Sequence, residues 1–341
     1  MSTSEFWRIV VPSADPDSGA ARLCRHAEQS GWDGAFFGDS QNVVPDPYVS
    51  MAVGATVTSS LKLGTGVTVP NTRHPATLGA AAASVQALSG GRVVISMGRG
   101  DSAAYQIGEK PMPIATFTSY VERLQGYLSG EVVDAHGYPS RLEWLENTAQ
   151  PKVPLSIAAT GPRVIALGAA KAERITFSAG ADPERLQTVI AHARNTAASV
   201  GRDPDELRLG AYLSVAATDD LEWGRTLLRG IISIHARFGA MHGQPVDGIG
   251  AAHDGTMQMV AVHTEEGHGK VDSPQARALT ADFIDRFGIV GEPAYCAERI
   301  RELEALGLDH FYILCQGRQS DAAASESLYD GFAEGVLPLL R

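Results

Sequence analysis

Two glycine-bearing strands flank a helix between residues 63 and 102, and this arrangement constrains the fold more than any other part of the chain. Residues 63–70 (LGTGVTVP) form a predicted strand whose two interior glycines add no side-chain packing. Glycine inside a strand usually marks a bulge or a place where a ligand comes close to the backbone. Residues 92–97 form a second apolar strand, which ends in the turn Gly98-Arg99-Gly100-Asp101-Ser102. The backbone amides and the guanidinium of such a turn favour phosphate binding.

Short apolar runs alternate with longer helical patterns along most of the 341 residues, which is typical of βα units in a parallel sheet. The pattern predicts eight strands, at residues 7–11, 34–37, 63–70, 92–97, 154–158, 174–177, 207–215 and 310–314. Eight strands with helices between them favour a closed (β/α)8 TIM barrel over an open sheet. We therefore predict an α/β fold with one domain that spans residues 1–341.

A long stretch separates the seventh predicted strand from the eighth, and more than one helix must fit into it. We expect a helical insertion at about residues 219–290. Active sites of TIM barrels lie at the carboxyl ends of the strands, so an insertion after the seventh strand would form a lid or a pocket wall. Phe238, His242 and His263 are its candidate substrate contacts, and they favour a small apolar or aromatic substrate.

Composition excludes several classes of protein. The formal net charge of −11 provides no basic surface for nucleic acid. No stretch approaches the roughly 18 apolar residues of a membrane span, and the first residues lack the pattern of a signal peptide, so we expect a cytoplasmic protein. The three cysteines are widely spaced and the histidines show no H-E-x-x-H pattern, so we predict neither disulfides nor a metal site.

The turn after the fourth predicted strand formally fits the G-x-G-x-x-G/A fingerprint of dinucleotide-binding folds when Ala103 is included. That fingerprint belongs after the first strand of a βαβ unit, so it is weak evidence for a nicotinamide nucleotide here. In the alternative interpretation, the glycines only turn the chain. Arg99 and Ser102 add anion-binding groups that a turn alone does not need.

Two later strand ends carry small or hydroxyl residues. Thr160-Gly161-Pro162 follows the fifth predicted strand and places free amides at a helix start, where phosphate is favoured. An ordinary threonine cap is the alternative. Ser178-Ala179-Gly180 follows the sixth strand and would let a ligand phosphate approach the backbone. Three neighbouring strand ends of this kind together indicate an anion site.

Polar groups also follow the second and third predicted strands. Asp39 exposes a carboxylate directly after the second strand, although it could instead cap a turn or helix. Arg73 and His74 follow the third strand. His74 either relays protons near neutral pH or only accepts a hydrogen bond from a neighbouring turn.

With these residues identified, the chain resembles the bacterial luciferase-like superfamily of flavin- and deazaflavin-dependent oxidoreductases. The resemblance runs from about residue 6 to residue 317 and rests on residues 64–68 (GTGVT), 72–75 (TRHP), 89–92 (SGGR), 98–102 (GRGDS) and 290–293 (VGEP). The TRHP and GDS pieces are most similar to the methylenetetrahydromethanopterin reductase branch. Arg99-Gly100 is similar to the Arg-Gly pair with which luciferase holds the flavin phosphate.

The resemblance implies a TIM barrel that carries a flavin at the carboxyl ends of its strands, with a non-prolyl cis peptide, here Gly66-Val67, against the ring. It implies a homodimer and makes Asp39 and His74 the catalytic candidates and Arg73 a candidate substrate contact. The implied cofactor contacts are Asp39, Gly66, Val67, Thr68, Arg99, Gly100, Asp101, Thr160, Gly161, Pro162, Ser178, Ala179 and Gly180.

Three functions are compatible with the resemblance. The first is an FMN-dependent monooxygenase, which Arg99 favours and which would need a flavin reductase as a partner. The second is an enzyme that uses the deazaflavin coenzyme F420 and transfers a hydride without oxygen. Luciferase carries a histidine around Asp39-Ser40, and its absence here leaves a non-catalytic flavin-binding protein as the third. In the two enzymes, the cofactor supplies the redox chemistry and the barrel orients the substrate.

Overall fold

The computed structural model describes residues 4–13, 19–240, 269–315 and 322–341. Its strands are β1 (Glu5–Ile9), β2 (Gly34–Phe37), β3 (Lys62–Thr65), β4 (Val93–Met97), β5 (Val133–Asp134), β6 (Pro139–Ser140), β7 (Leu155–Ala159), β8 (Arg174–Phe177), β9 (Arg208–Ala217), β10 (Ile289–Gly291) and β11 (His310–Leu314). Its helices are α1 (Ala20–Gln29), α2 (Pro47–Val57), α3 (Pro75–Ser89), α4 (Ser102–Tyr105), α5 (Ile114–Leu128), α6 (Pro162–Lys171), α7 (Pro183–Ser199), α8 (Leu221–Ala240), α9 (Pro274–Arg277), α10 (Ala281–Phe287), α11 (Pro293–Ala305), α12 (Ala322–Gly335) and α13 (Leu337–Leu340).

Eight strands form a closed parallel sheet. Their order is β9-β11-β1-β2-β3-β4-β7-β8, and β8 pairs back with β9. The predicted (β/α)8 barrel is therefore confirmed. The short strand β10 adds to the end of β9, and β5 and β6 form a separate antiparallel hairpin. The sequence analysis missed these three strands, because two or three residues are too few to show a periodicity.

The third strand is shorter than predicted. Regular pairing of β3 with its neighbours ends at Thr65, and Gly66 still donates from its amide to the carbonyl of Phe37 at 2.8 Å. Thr68 then forms an isolated parallel bridge with Met97. The chain therefore stays beside its neighbours beyond the strand, and it carries Gly66 and Thr68 out to the carboxyl end of the sheet.

The insertion between β9 and β11 is helical where the structure describes it. Leu228, Ile232 and Ala236 of α8 pack in one buried cluster with Phe283 and Phe287 of α10. The apolar face of α8 is therefore explained by its packing against α10. The predicted substrate contacts His242 and His263 lie outside the described residues.

Two compact units divide the chain. The first unit comprises Ile9–Ala158 and Leu167–Arg174, and the second comprises Met1–Arg8, Ala159–Ala166 and Ile175–Arg341. A single domain over the full length stays a prediction. None of the helices in the described ranges combines the length and apolarity needed to cross a bilayer.

Glu28, at the end of α1, forms hydrogen bonds with the segment that leads into β3. One carboxylate oxygen accepts hydrogen bonds from the amides of Ser59, Ser60 and Leu61 at 2.6–3.0 Å. Partial burial raises the pKa of Glu28, but these amide bonds outweigh it and lower the pKa to about 2 from 4.5. The charged form of Glu28 is therefore bound more tightly in the folded protein than in the unfolded chain.

We expect Glu28→Gln to lower the thermal unfolding midpoint at pH 7. Since the folded pKa lies below the unfolded value, the stabilisation is complete above about pH 4.5 and is lost as pH falls toward 2. The difference between wild type and variant should therefore shrink over that range, as measured by calorimetry. Glu131→Gln, at an exposed position, is the control. A difference that stays constant from pH 7 to pH 3 would contradict this role.

Gly210 of β9 lies against the neighbouring strand β11. A Cβ atom at Gly210 would be 2.1 Å from the carbonyl oxygen of His310 and 2.3 Å from its ring. The ring of His310 cannot turn aside easily, because Nε2 is 2.9 Å from Thr176 Oγ1 and Nδ1 is 2.8 Å from Asp309 Oδ1. Glycine is therefore needed here for packing.

We predict that Gly210→Ala destabilises the protein by about 1–3 kcal/mol or more, because a backbone atom must move to admit the methyl group. Chemical denaturation would measure the loss. Gly331→Ala is the matched control: its Cβ would meet nothing within 4 Å, and alanine is the better helix former. Equal stabilities of the two variants would show that the packing at Gly210 is looser than described.

Candidate functional site

In the first unit, hydrogen bonds join the segments that follow β2, β3 and β4. Asn42 donates to the carbonyl of Gln106 at 3.0 Å, and Asn71 donates to the carbonyl of Lys110 at 3.1 Å. The amide of Gly98 donates to the carbonyl of Thr68 at 3.1 Å. The carboxyl ends of three adjacent strands therefore form one connected cluster, at the end of the barrel where enzymes of this fold place their active sites.

Asp39 is the centre of this cluster and is only 3% exposed. Its Oδ2 accepts from the hydroxyl of Thr68 and from Arg73 Nη1, each at 2.6 Å, and its Oδ1 accepts from Gln41 at 2.8 Å. The prediction that the carboxylate of Asp39 is exposed is therefore wrong, because the side chain is buried. Three donors occupy both oxygens, and this geometry suits orienting Thr68 and Arg73 better than exchanging a proton.

Arg73 is held on several sides. Besides Asp39, its guanidinium pairs with Asp46 and lies 4.8 Å above the centre of the Tyr48 ring. Burial lowers the pKa of Arg73, but the bond and charge of Asp39 raise it overall. Arg73 thus bridges two carboxylates, and its contact with substrate stays a prediction.

Two tyrosines complete the cluster, and the sequence analysis missed both. The hydroxyl of Tyr48 donates to Thr68 at 3.4 Å, and that of Tyr120 donates to the carbonyl of Arg73 at 2.7 Å. Burial raises the pKa of both Tyr48 and Tyr120. Each tyrosine lies in a helix with other apolar residues, so its sequence pattern is that of an ordinary core position.

His74 is the N-cap of α3. Its Nδ1 accepts a hydrogen bond from the amide of Ala76 at 3.2 Å, and the residue is exposed. This is the second of the two interpretations given for His74, namely a bond to the neighbouring turn. The bond occupies one ring nitrogen, so the geometry favours a structural role over the proposed catalytic one.

The peptide between Gly66 and Val67 is cis, as the resemblance implies. A Cβ atom at Gly66 would be 2.3 Å from the ring of Phe36, and one at Gly98 would be 3.1 Å from Val67. These two glycines are therefore required by the packing of their own neighbours. Gly66 and Val67 remain partly exposed, whereas the Thr68 that follows them is buried.

The turn after β4 is held close to the segment after β3. Gly100 has φ +89°, and a Cβ atom there would be 2.9 Å from the side-chain oxygen of Asn71. That oxygen is buried and has no hydrogen-bond partner within the described part of the chain. Arg99 Nε donates to the carbonyl of Met112 at 2.8 Å, so part of the predicted phosphate-binding group already serves the fold. The side chain of Asp101, at the start of α4, does not cap that helix.

In the second unit, the ends of β7 and β8 differ from each other. Gly161 accepts from the amides of Val164 and Ile165 where α6 begins, and its Cβ position faces open space. Gly180 has φ +76°, and a Cβ atom there would be 2.7 Å from both the ring and the carbonyl of Phe287. Phe287 thus lies close to Gly180, and the approach of a ligand phosphate there stays a prediction. Gly161 has open space on its Cβ side.

Beside Gly180, the hydroxyl of Ser178 lies 2.6 Å from Nδ1 of His235 in α8. The His235 ring is 5.5 Å from the ring of Tyr212 in β9 and 5.7 Å from that of Phe238. Phe238, a predicted substrate contact, therefore packs on an imidazole. The sequence analysis gave His235 no role, because no motif surrounds it and spacing alone does not give side-chain direction.

Within the described residues, no group of three or more histidine, cysteine, aspartate or glutamate side chains could hold a metal ion. The candidate site residues fall into two groups, one in each compact unit. Asp39, Thr68, Arg73 and the backbone near Gly66 belong to the first unit. The strand ends at Thr160 and Ser178, with His235, belong to the second.

Comparisons with known proteins agree with this geometry. The family model described as luciferase-like monooxygenase matches residues 7–310. The 5,10-methylenetetrahydromethanopterin reductase of Methanolobus tindarius is 27% identical over 302 residues, which cover 87% of this chain and 90% of the relative. The F420-dependent hydroxymycolic acid dehydrogenase of Mycobacterium tuberculosis is 30% identical over 222 residues, or 58% of this chain and 60% of the relative.

A solved structure has the same fold. The coenzyme F420-dependent tetrahydromethanopterin reductase from Methanopyrus kandleri superposes with a TM-score of 0.73 at 21% identity and covers 99% of both chains. The family match extends over most of the sequence, and the relatives are oxidoreductases. The chain therefore belongs to the luciferase-like monooxygenase family and is an oxidoreductase of this class.

Proposed function

We propose that this protein is a coenzyme F420-dependent oxidoreductase that transfers a hydride between the deazaflavin and a small organic substrate. The observation that carries the proposal is the partly exposed cis peptide between Gly66 and Val67, with the polar side chain of Thr68 turned onto Asp39. A glycine in this position suits the close approach of a planar ring to the backbone. The methanopterin reductases and the F420-dependent dehydrogenase supply the chemistry by likeness.

The residues present fit a cofactor of this kind. The buried oxygen of Asn71, which lacks a partner among the described residues, offers an acceptor beside Gly100 to a donor on a ligand. In the second unit, Thr160 and Gly161 start a ten-residue helix with open space at Gly161, as a phosphate group would require. A flavin or deazaflavin cofactor presents both a ring and a phosphate group to its binding site.

F420 is favoured over FMN by the relatives. Those from Methanolobus tindarius and Mycobacterium tuberculosis carry methanopterin or F420 in their names, and neither name contains FMN. Arg99, on which the preference for FMN rested, donates from Nε to the carbonyl of Met112 and stays a candidate phosphate contact. A bound deazaflavin supplies hydride transfer without activating oxygen. The flavin reductase partner, the homodimer and the cytoplasmic location stay predictions that the proposed activity does not require.

The chain's own residues have distinct tasks in this proposal. Asp39 accepts the hydroxyl of Thr68 and turns it away from the ring, and Arg73 holds Asp39 in place. Val67 and Gly66 support the ring. Thr160 and the amides near Gly161 stay candidate phosphate contacts. Arg99, Asp101 and Ser178 remain candidate cofactor contacts.

We predict that the purified protein binds oxidised F420 with a micromolar or lower dissociation constant and binds FMN at least tenfold more weakly. The two cofactors can be titrated in parallel by their fluorescence. Riboflavin, which lacks the phosphate, serves as the control for ring binding alone. Tight FMN binding with no F420 binding would reverse the proposal in favour of a flavin monooxygenase.

We expect Asp39→Asn to lower the free energy of unfolding by about 3 kcal/mol, because it leaves Arg73 without its buried partner. It should also weaken F420 binding, because asparagine offers one acceptor oxygen in place of the two that Asp39 presents to Thr68, Arg73 and Gln41. Asp46→Asn is the matched control: Asp46 is 44% exposed in its side chain, and asparagine still caps α2. We expect a loss of less than about 1 kcal/mol there.

Urea denaturation and the fluorescence titration measure these two effects separately. If Asp39→Asn unfolds too easily for binding to be measured, Thr68→Val provides the second test, since it removes the hydroxyl and keeps the ion pair. Full F420 affinity in both variants would remove this cluster from the cofactor site.

A further inference from the structure

Arg185, in the first turn of α7, is a buried cation whose hydrogen-bonding partner the fold does not supply. The residue is only 6% exposed, and its Nε is fully buried. Within the described ranges, no hydrogen bond or ion pair joins its guanidinium to another residue. The buried Arg8, by contrast, pairs with Glu326 at 2.7 Å. Since a buried charge is costly unless it is paired and hydrogen-bonded, Arg185 calls for an explanation.

An aromatic ring holds the guanidinium in position. The central carbon of the Arg185 guanidinium lies 5.3 Å from the centre of the Phe287 ring. That ring stacks on Phe283, with 5.4 Å between the ring centres. The face of a ring attracts a cation, but a phenylalanine ring has no lone pair that could accept from the five N–H groups of arginine. The contact therefore fixes the guanidinium without satisfying its donors.

The neighbouring carboxylates are occupied by Arg286. The buried Asp182 accepts from Arg286 Nε through Oδ2 at 2.6 Å, and its Oδ1 accepts from the amide of Glu184 at 3.0 Å and from Arg286 Nη2 at 3.3 Å. Glu184, whose side chain is 82% exposed, also accepts from Arg286 Nη2, at 2.7 Å. Neither carboxylate forms a hydrogen bond with Arg185.

The charges around Arg185 leave a surplus of buried positive charge. Burial lowers the pKa of Arg185, the charge of Asp182 raises it, and the charge of Arg286 lowers it. The single buried carboxylate of Asp182 thus faces two guanidinium groups. The start of the 17-residue helix α7 adds amide groups and a dipole that also favour negative charge. A bound anion would balance the charge of Arg185 and accept its N–H groups.

The position of Arg185 gives a ligand access to it. The first turn of α7 follows the carboxyl end of β8, and barrels of this kind bind their ligands at that end of the strands. Of the three side-chain nitrogens, only Nε is both fully buried and without a partner, so Nη1 and Nη2 keep contact with the surface. These two atoms form the edge that arginine presents to phosphate and carboxylate groups.

We propose that Arg185 anchors a binding site for an oxyanion, a phosphate or carboxylate group, at the first turn of α7. Nη1 and Nη2 donate to two oxygens of the anion, and the Phe287 ring keeps the guanidinium in place. The site lies within the second unit and does not depend on the proposed hydride transfer. The anion belongs either to the cofactor or to a different ligand, and the two sources are separated by experiment.

The first test compares thermal unfolding midpoints in inorganic phosphate, acetate and chloride at equal ionic strength. We expect phosphate or acetate to raise the midpoint of the wild type above that in chloride, because the anion binds the folded protein. Arg185→Met should lose this rise. Isothermal titration with the same anion should show binding weakened about tenfold or more in this variant. Arg25→Met, at an exposed position of α1, is the control and should keep the rise.

The second test observes the guanidinium of the wild type, so it does not require the methionine variant to fold. In protein labelled with ¹⁵N-arginine, the Nε–H signal of Arg185 is identified by its absence in Arg185→Lys. The anion that raises the midpoint should shift this signal and leave that of Arg25 in place. An unmoved Arg185 signal at a saturating concentration of the anion would overturn the proposal.

The remaining outcomes also decide the proposal. A wild type that gains nothing from either anion, or a gain of equal size in Arg185→Met, overturns it. Repeating the titration with F420 bound identifies the source: loss of anion binding assigns the site to the phosphate of the cofactor, and unchanged binding assigns it to a second ligand. Because the first two tests use no cofactor, failure to bind F420 overturns the proposed function and leaves this inference standing.

Discussion

The ion pair between Asp39 and Arg73 is the interaction on which the strand ends of the first unit depend. Asp39 follows β2 and Arg73 follows β3, so their bond ties two neighbouring strand ends together. The same carboxylate oxygen holds the hydroxyl of Thr68. A buried carboxylate is costly unless donors surround it, and here three donors do so. The side chain of Thr68, two residues after Gly66, is therefore fixed by the Asp39 carboxylate.

In the second unit, aromatic contacts connect the corresponding elements. The strand ends at Ser178 and the helix α8 meet through one hydrogen bond and a series of ring contacts, which continue from Tyr212 to Tyr312 at 5.1 Å and from Tyr312 to Trp7 at 5.4 Å. Aromatic rings in edge-on or tilted contact fix each other's orientation. The contacts with Tyr212 and Phe238 and the bond to Ser178 thus fix the orientation of the His235 ring.

Much of the fold could be predicted from the sequence. The bounds of β2, β8 and β11 agree with the predicted ones, because apolar runs of strand length stand between clear turn or helix-cap residues there. The cis peptide at Gly66 came from the family resemblance and is present. Local patterns of this kind are written in neighbouring residues, so a single sequence reveals them.

The candidate site could be predicted only in part, because side-chain partners are distant in sequence. Asp39 and Arg73 are 34 positions apart, and Ser178 and His235 are 57 apart. The sequence named Arg73 and Gly180 as candidate ligand contacts, but it could not show that Asp39 and Phe287 are their neighbours in the fold. A residue with the right chemistry for a ligand often has the right chemistry for another part of the protein.

A crystal structure of the protein with oxidised F420 bound would test the central claim most directly. We expect the deazaflavin ring to lie against the Gly66-Val67 peptide, with the bonds from Thr68 and Arg73 to Asp39 intact. Density for the ring away from that peptide, or an Asp39 carboxylate that has left Arg73 to contact the ring, would contradict the role assigned to this cluster.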